Sequence, residues 1–134
     1  MTDIPSHYAR IGGESAVRQL ATTFYRIMSE TPQTKRVRDM HPTDIANSEE
    51  KLYLFLTGWL GGPDLYIEKY GHPRLRQRHM PFSIGLEERD QWLYCMAHAL
   101  ATLDLDDLLA EQLMASFAKT ADFMRNKDEA KTTP

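Results

Sequence analysis

An all-α fold is what this sequence predicts, on three observations. Apolar residues recur every three to four positions in four long stretches, and no stretch alternates apolar and polar residues with a period of two. Gly12-Gly13, Gly61-Gly62-Pro63 and Gly71, with Pro73 and Pro81, punctuate the chain between those stretches. At 134 residues the chain can bury one core and needs no second domain, so it reads as a single domain over 1–134. Residues 1–10 read as an N-terminal extension and the charged tail 126–134 as frayed. Four long amphipathic helices can pair as two antiparallel layers, although periodicity alone does not choose that arrangement over an ordinary bundle.

Each element has its own signal. Ile11-Gly12-Gly13 reads as a turn that a short first helix can precede, because glycine tolerates positive φ. From Glu14 to Ser29 the apolar positions Val17, Leu20, Ala21, Phe24, Tyr25, Ile27 and Met28 form a helical stripe, with Glu14 at the positive end. Thr31-Pro32 stops that helix and starts a short one through Val37, and Met40 to Asp44 makes a corner. The next helix begins between Thr43 and Ser48, with Thr43 or Asn47 as cap, and carries Leu52, Phe55, Leu56, Trp59 and Leu60 to its end at Gly61-Gly62-Pro63. Residues 64–72 read as a largely irregular or weakly helical connection. Leu86 to Leu103 forms a helix with Trp92, Leu93, Met96, Ala99, Leu100 and Leu103 on one side. Asp104 to Asp107 turns the chain. The final stripe is Leu108 or Leu109 with Leu113, Met114, Phe117, Ala121 and Met124.

Composition narrows the function. Sixteen Lys and Arg against 19 Asp and Glu leave a net charge of −3, so no general field draws nucleic acid or an anionic membrane. The basic residues cluster locally instead. A single cysteine, Cys95, has no internal disulfide partner and nothing beside it marks a reactive thiolate. Met1 to Pro5 lack the basic start and apolar run of a secretory leader, and no window approaches the roughly 20 apolar residues of a membrane span. The expectation is a soluble protein of the reducing cytoplasm.

The stretch with most chemistry is 71–82, GHPRLRQRHMPF. Pro73 and Pro81 fence a segment of barely two helical turns, within which Arg74, Arg76 and Arg78 alternate with Leu75 and Gln77 and His79 closes the end. Taken alone, such a histidine is more often structural than a ligand. His72 and His79 do not make a zinc site, because no cysteine or carboxylate set stands at ligand spacing. Its setting changes the reading: FLTGWLGGP and Leu-Tyr precede it, Phe82-Ser-Ile and ERDQWLYCM follow. In this order and spacing the sequence resembles the group II truncated haemoglobins, from Ile11 to about residue 125.

That resemblance implies a two-over-two helical sandwich, a shortened globin enclosing a haem b, with His79 as proximal iron ligand. It places Tyr25 on the distal side, where a phenol can donate to a diatomic ligand, and matches Trp92 to the tryptophan of groups II and III, whose indole N–H can steady a ligand or bond Tyr25 while its ring packs on the porphyrin. Ser48 falls where larger globins usually carry a histidine, and Leu52 and Phe55 share its helix face. His41 departs from the family's usual aromatic, so three roles stay open for it: donor, sixth iron ligand, or a side chain turned to solvent beside Pro42. Lys51, Tyr66 and Arg78 are the candidates for the propionates at the cavity mouth, and Phe82 for the haem's surroundings. The implied function is reversible binding of dioxygen, carbon monoxide and nitric oxide. Nitric oxide dioxygenation or peroxide turnover would need an external reductase, since the chain has no flavin or nicotinamide fingerprint. The competing reading is a haem-free helical interaction or regulatory module.

Overall fold

The computed structural model describes residues 6–126, and every regular element among them is helical. The first, α1, runs His7–Ile11 and is capped by Ser6, whose hydroxyl accepts from the Ala9 amide at 3.1 Å. It is not a loose extension: the Tyr8 amide donates to the Leu60 carbonyl at 2.8 Å, and a Cβ on Gly62 would lie 2.7 Å from the Tyr8 ring, so only glycine lets the two segments meet. Gly12, at φ 122°, and Gly13, at φ 73°, make the expected turn into α2, Gly13–Glu30.

After a single 3-10 turn at Pro32–Thr34 come α3, Lys35–Asp39, and α4, Ala46–Trp59. Neither Thr43 nor Asn47 caps α4. Ile45 stands at the cap position with no side-chain bond, and the Asp44 carboxylate takes the free Ala46 amide at 3.0 Å, because an aspartate reaches the amide two residues on without leaving the corner. The 64–72 connection is also more regular than expected: α5 spans Leu65–Tyr70, with Tyr66 turned inward and Gly71, φ 81°, ending it.

Next is α6, Leu75–His79, entered through Arg74 in the left-handed region at φ 48°. Helix α7 spans Leu86–Ala101, ending before Leu103, and α8 spans Asp107–Phe123, where the Asp106 carboxylate caps the Leu109 amide at 2.9 Å. The choice between Leu108 and Leu109 goes to Leu109, which is buried, while Leu108 is 60% exposed.

The layers follow from these stripes. Helix α2 packs on α4 and α7, and α7 on α8, giving the two-over-two sandwich. Val17, Leu20, Phe24 and Met28 of α2 meet Leu56 of α4, Cys95 and Met96 of α7, and Leu113 and Phe117 of α8 in one core. Removing a buried side chain the size of Leu113 would cost about 2–5 kcal/mol. Among the described residues no helix is long and apolar enough to cross a membrane.

Helix α6 stands apart from those main helix-to-helix contacts. The chain leaving α8 holds it instead. Arg76 donates to the Phe123 and Arg125 carbonyls at 3.2 and 3.3 Å. Asn126 donates through Nδ2 to the His79 and Phe82 carbonyls at 3.1 and 2.8 Å, and its Oδ1 accepts from the Ile84 amide at 2.9 Å. This corrects the expected fray at its first position, because an amide side chain can satisfy both donors and acceptors of a facing loop. The rest of the expected fray, 127–134, lies outside the described residues.

Candidate haem site

Helices α2, α4, α6, α7 and α8 enclose a cavity of about 400 Å³, within the range of pockets that bury small molecules and cofactors. All eleven residues singled out in the sequence line it: Tyr25, His41, Ser48, Lys51, Leu52, Phe55, Tyr66, Arg78, His79, Phe82 and Trp92. Ser48, Leu52 and Phe55 come from one face of α4, as their spacing requires. Phe117, Ala121 and Met124 of α8 and Trp59 of α4 complete an apolar wall, with Trp59 stacked on Phe117 at 4.4 Å between ring centroids.

Two histidines are oriented by the same device. His79 Nδ1 bonds the Leu75 carbonyl at 2.6 Å, and His41 Nδ1 bonds the Val37 carbonyl at 2.8 Å. A carbonyl only accepts, so in each neutral ring the proton sits on Nδ1 and Nε2 keeps its lone pair. The reading of His41 as turned to solvent is therefore overturned: the ring is half-buried on the cavity wall, edge-on to Tyr25 at 5.5 Å. Burial lowers its pKa, with the charges of Arg38 and His79 adding to that and the Val37 bond opposing it. A neutral His41 with Nδ1 committed offers Nε2 as an acceptor or ligand, not as a donor.

Tyr25 is nearly completely buried, packed edge-on against Phe24 at 5.0 Å, and burial raises its pKa well above that of an ordinary phenol. It stays protonated. Trp92 is wedged between Phe24 at 5.2 Å and Phe117 at 5.8 Å and makes no hydrogen bond to Tyr25. The Tyr25 hydroxyl, the Trp92 indole and Nε2 of both histidines thus border one apolar cavity with no hydrogen-bond partner among the described residues. Polar groups left free on an apolar wall are available to bond an occupant of the cavity.

The mouth is cationic. Lys51 lies 5.4 Å from the Tyr70 ring centre, and Arg78 is exposed with its Nε bonded to the Pro73 carbonyl at 2.7 Å. Tyr66 of α5 lines the same wall, buried, edge-on to Phe55 at 6.3 Å and 5.0 Å from the Tyr70 ring beside Lys51. Phe82 is 43% exposed on the rim.

The comparisons with known proteins bear on this geometry. Residues 6–126 match the family model of bacterial-like globins. The group 2 truncated hemoglobin YjbI of Bacillus subtilis is 41% identical over 118 residues, 88% of this chain and 87% of that protein. The chain belongs to the group II truncated haemoglobins. Two solved structures agree. The cold-adapted truncated hemoglobin of the Antarctic marine bacterium Pseudoalteromonas haloplanktis has 43% identity and a TM-score of 0.90, covering 92% of this chain and 100% of that one. The group II 2-on-2 hemoglobin of the plant pathogen Agrobacterium tumefaciens has 41% identity and a TM-score of 0.90, covering 95% and 98%.

A globin binds small gas ligands such as dioxygen through haem, and the cavity suits that group: an apolar slot, a histidine lone pair, unpartnered polar groups and a cationic mouth. Two supporting residues of this truncated haemoglobin escaped the sequence reading. Asn126 lay in the supposed tail, with only its proximity to the end of α8 as a signal. Glu88 carries no signal in the sequence beyond standing in the first turn of a helix, where acidic residues are common. In the structure it is 2% exposed, takes the Gly85 amide at 2.6 Å and pairs with Arg36 of α3, tying the α7 start to the corner that carries His41.

Proposed function

We propose that this chain holds a haem b with His79 as its axial ligand, binds dioxygen, carbon monoxide and nitric oxide reversibly, and supports redox chemistry on such ligands. The observation that carries the reading is the set of unpartnered polar groups around one apolar cavity, with the His79 lone pair among them. When bound, haem would supply an iron able to take a small ligand and to change oxidation state.

The chain's own groups supply the rest. The Leu75 carbonyl, bonded to His79 Nδ1–H, fixes the ring's orientation and raises the basicity of Nε2. Lys51 and Arg78, both on the cavity lining, would meet the propionates and neutralise their charge. Tyr25, held as a phenol, is a hydrogen-bond donor to a ligand that gathers negative charge, and Trp92 is a second donor beside it. Ser48 and Leu52 keep the α4 side of the pocket uncrowded. His41 Nε2 is an acceptor that can take a proton from a hydroperoxide, or a sixth ligand when no exogenous one is present. Two donors around the ligand, Tyr25 and Trp92, favour retention and chemistry over easy release. Nitric oxide oxidation and peroxide turnover both leave the iron in need of electrons, so an external reductase belongs to this reading. A reducing cytoplasm suits the lone Cys95.

The test is an ultraviolet–visible spectrum of haem-reconstituted wild type and His79→Ala, ferric, reduced, and reduced with carbon monoxide. Wild type is expected to show a Soret band that shifts at each step, and His79→Ala to lose the histidine-ligated spectrum. A variant with the wild-type spectrum would remove His79 from its role, and a colourless wild type would remove haem altogether.

A further inference from the structure

Among the described residues, six cations around the cavity and the adjoining groove have no carboxylate partner. The ion pairs among the described residues join Arg18 to Glu50, Lys35 to Asp39, Arg36 to Glu87 and Glu88, Arg89 to Asp90 and Asp122, and Arg125 to Asp122. None of them includes Lys51, Lys69, Arg74, Arg76, Arg78 or Lys119. Lys51 and Lys69 instead converge on the single Tyr70 ring, each 5.4 Å from its centre. Arg76 is fixed by backbone carbonyls, which leave its full charge exposed.

In a chain whose net charge is −3, this is a local concentration of uncompensated positive charge. Two of the six, Lys51 and Arg78, are accounted for by the propionates. The other four are not. Arg74, Arg76 and Lys119 line a groove that adjoins the haem cavity and shares Phe55, Trp59 and Leu75 with its wall; the one carboxylate in the groove, Asp122, is already paired with Arg89 and Arg125. Exposed apolar side chains stand among them: Phe123 is 64% exposed, Met80 52% and Phe82 43%. Apolar contacts ringed by one sign of charge are the composition of a steered, transient protein interface.

We infer that this face is the docking surface for an acidic one-electron donor protein of the iron–sulfur or flavin class. The inference rests on the haem reading above and supplies the reductant it requires: one electron leaves the donor's reduced centre and converts ferric to ferrous iron, with no bond made or broken in the chain. The position suits that transfer, because the charged groove and the cavity share the wall formed by Phe55, Trp59 and Leu75. Negative charge on the donor would be steered here and repelled elsewhere.

The test uses ferric holoprotein under carbon monoxide, mixed with reduced [2Fe–2S] ferredoxin in a stopped-flow instrument over a range of ionic strength. The Arg74→Glu/Lys119→Glu double variant is the chosen perturbation, since neither side chain makes a hydrogen bond or ion pair in the fold. The wild-type rate is expected to fall steeply with salt. The double variant should be slower by roughly tenfold or more at low salt, with a flattened salt dependence, while reduction by dithionite stays unchanged. A wild-type rate indifferent to salt, or equal rates in both proteins, would overturn the docking surface and leave the haem reading standing. Loss of binding to phosphatidylserine vesicles with no change in the ferredoxin reaction would overturn it in favour of a membrane. Failure to take up haem would sink the underlying reading instead.

Discussion

Replacing Asn126 by alanine tests how His79 is held. The side chain makes three hydrogen bonds to the loop that follows α6: two from Nδ2, to the His79 and Phe82 carbonyls, and one to Oδ1, from the Ile84 amide. They are not equal. Ile84 is buried, and its amide loses its acceptor outright, at about 1–2 kcal/mol. Phe82 is exposed, so water replaces its lost donor, and the His79 carbonyl keeps the Phe82 amide at 3.0 Å, leaving about 0.5 kcal/mol for each. The sum is about 2–3 kcal/mol, concentrated on one segment because α6 has little helix packing to share the load. Amide hydrogen exchange over residues 78–84 should therefore quicken by roughly 30- to 150-fold in Asn126→Ala, with the amides of α2 and α7 unchanged. Haem transfer to an acceptor globin should quicken in the same variant, and the iron–histidine stretching band of the ferrous protein should shift or broaden. Asn126→Asp keeps Oδ1 and loses both donors, so it should fall between. Unchanged exchange over 78–84, or equal acceleration everywhere, would refute a local clamp.

Other perturbations separate the remaining roles. Tyr25→Phe removes a hydroxyl that bonds nothing in the fold, so stability should stay within about 0.5 kcal/mol while dioxygen dissociation quickens severalfold; a large melting shift would show the hydroxyl to be structural. His41→Ala should change the ferric spectrum if Nε2 reaches the iron, and otherwise slow only the reaction with peroxide; neither effect would remove His41 from the site. Burial pushes the Cys95 thiol up to about 11, with Thr34 and a backbone bond opposing. A group whose folded pKa lies above its unfolded one stays protonated at neutral pH, so a thiol reagent at pH 8 should label the unfolded chain and spare the native one; rapid native labelling would contradict the buried thiol.

The sequence by itself determined the helices and the lining of the cavity. A stripe of spacing three to four fixes which face of a helix turns inward, so Val17, Leu20, Phe24 and Leu113 could be assigned to the core without coordinates, and Ser48, Leu52 and Phe55 to one wall. The motif around His79 named the segment for which no periodicity exists, and the resemblance to a known family turned an indefinite bundle into a two-over-two sandwich. What escaped was decided by partners distant in the chain. Nothing local in the Met40 to Asp44 corner says that Asp44, and not Thr43 or Asn47, satisfies the start of α4. The direction of His41 depends on the Val37 carbonyl, which removes one ring nitrogen from the choice, and that bond exists only once α3 has formed. Asn126 looked like the start of a tail because composition near a terminus reads as solvated. Its partners, His79, Phe82 and Ile84, lie more than 40 residues away, and pairing across such distances is set by the packing of α7 against α8, which only the tertiary structure decides.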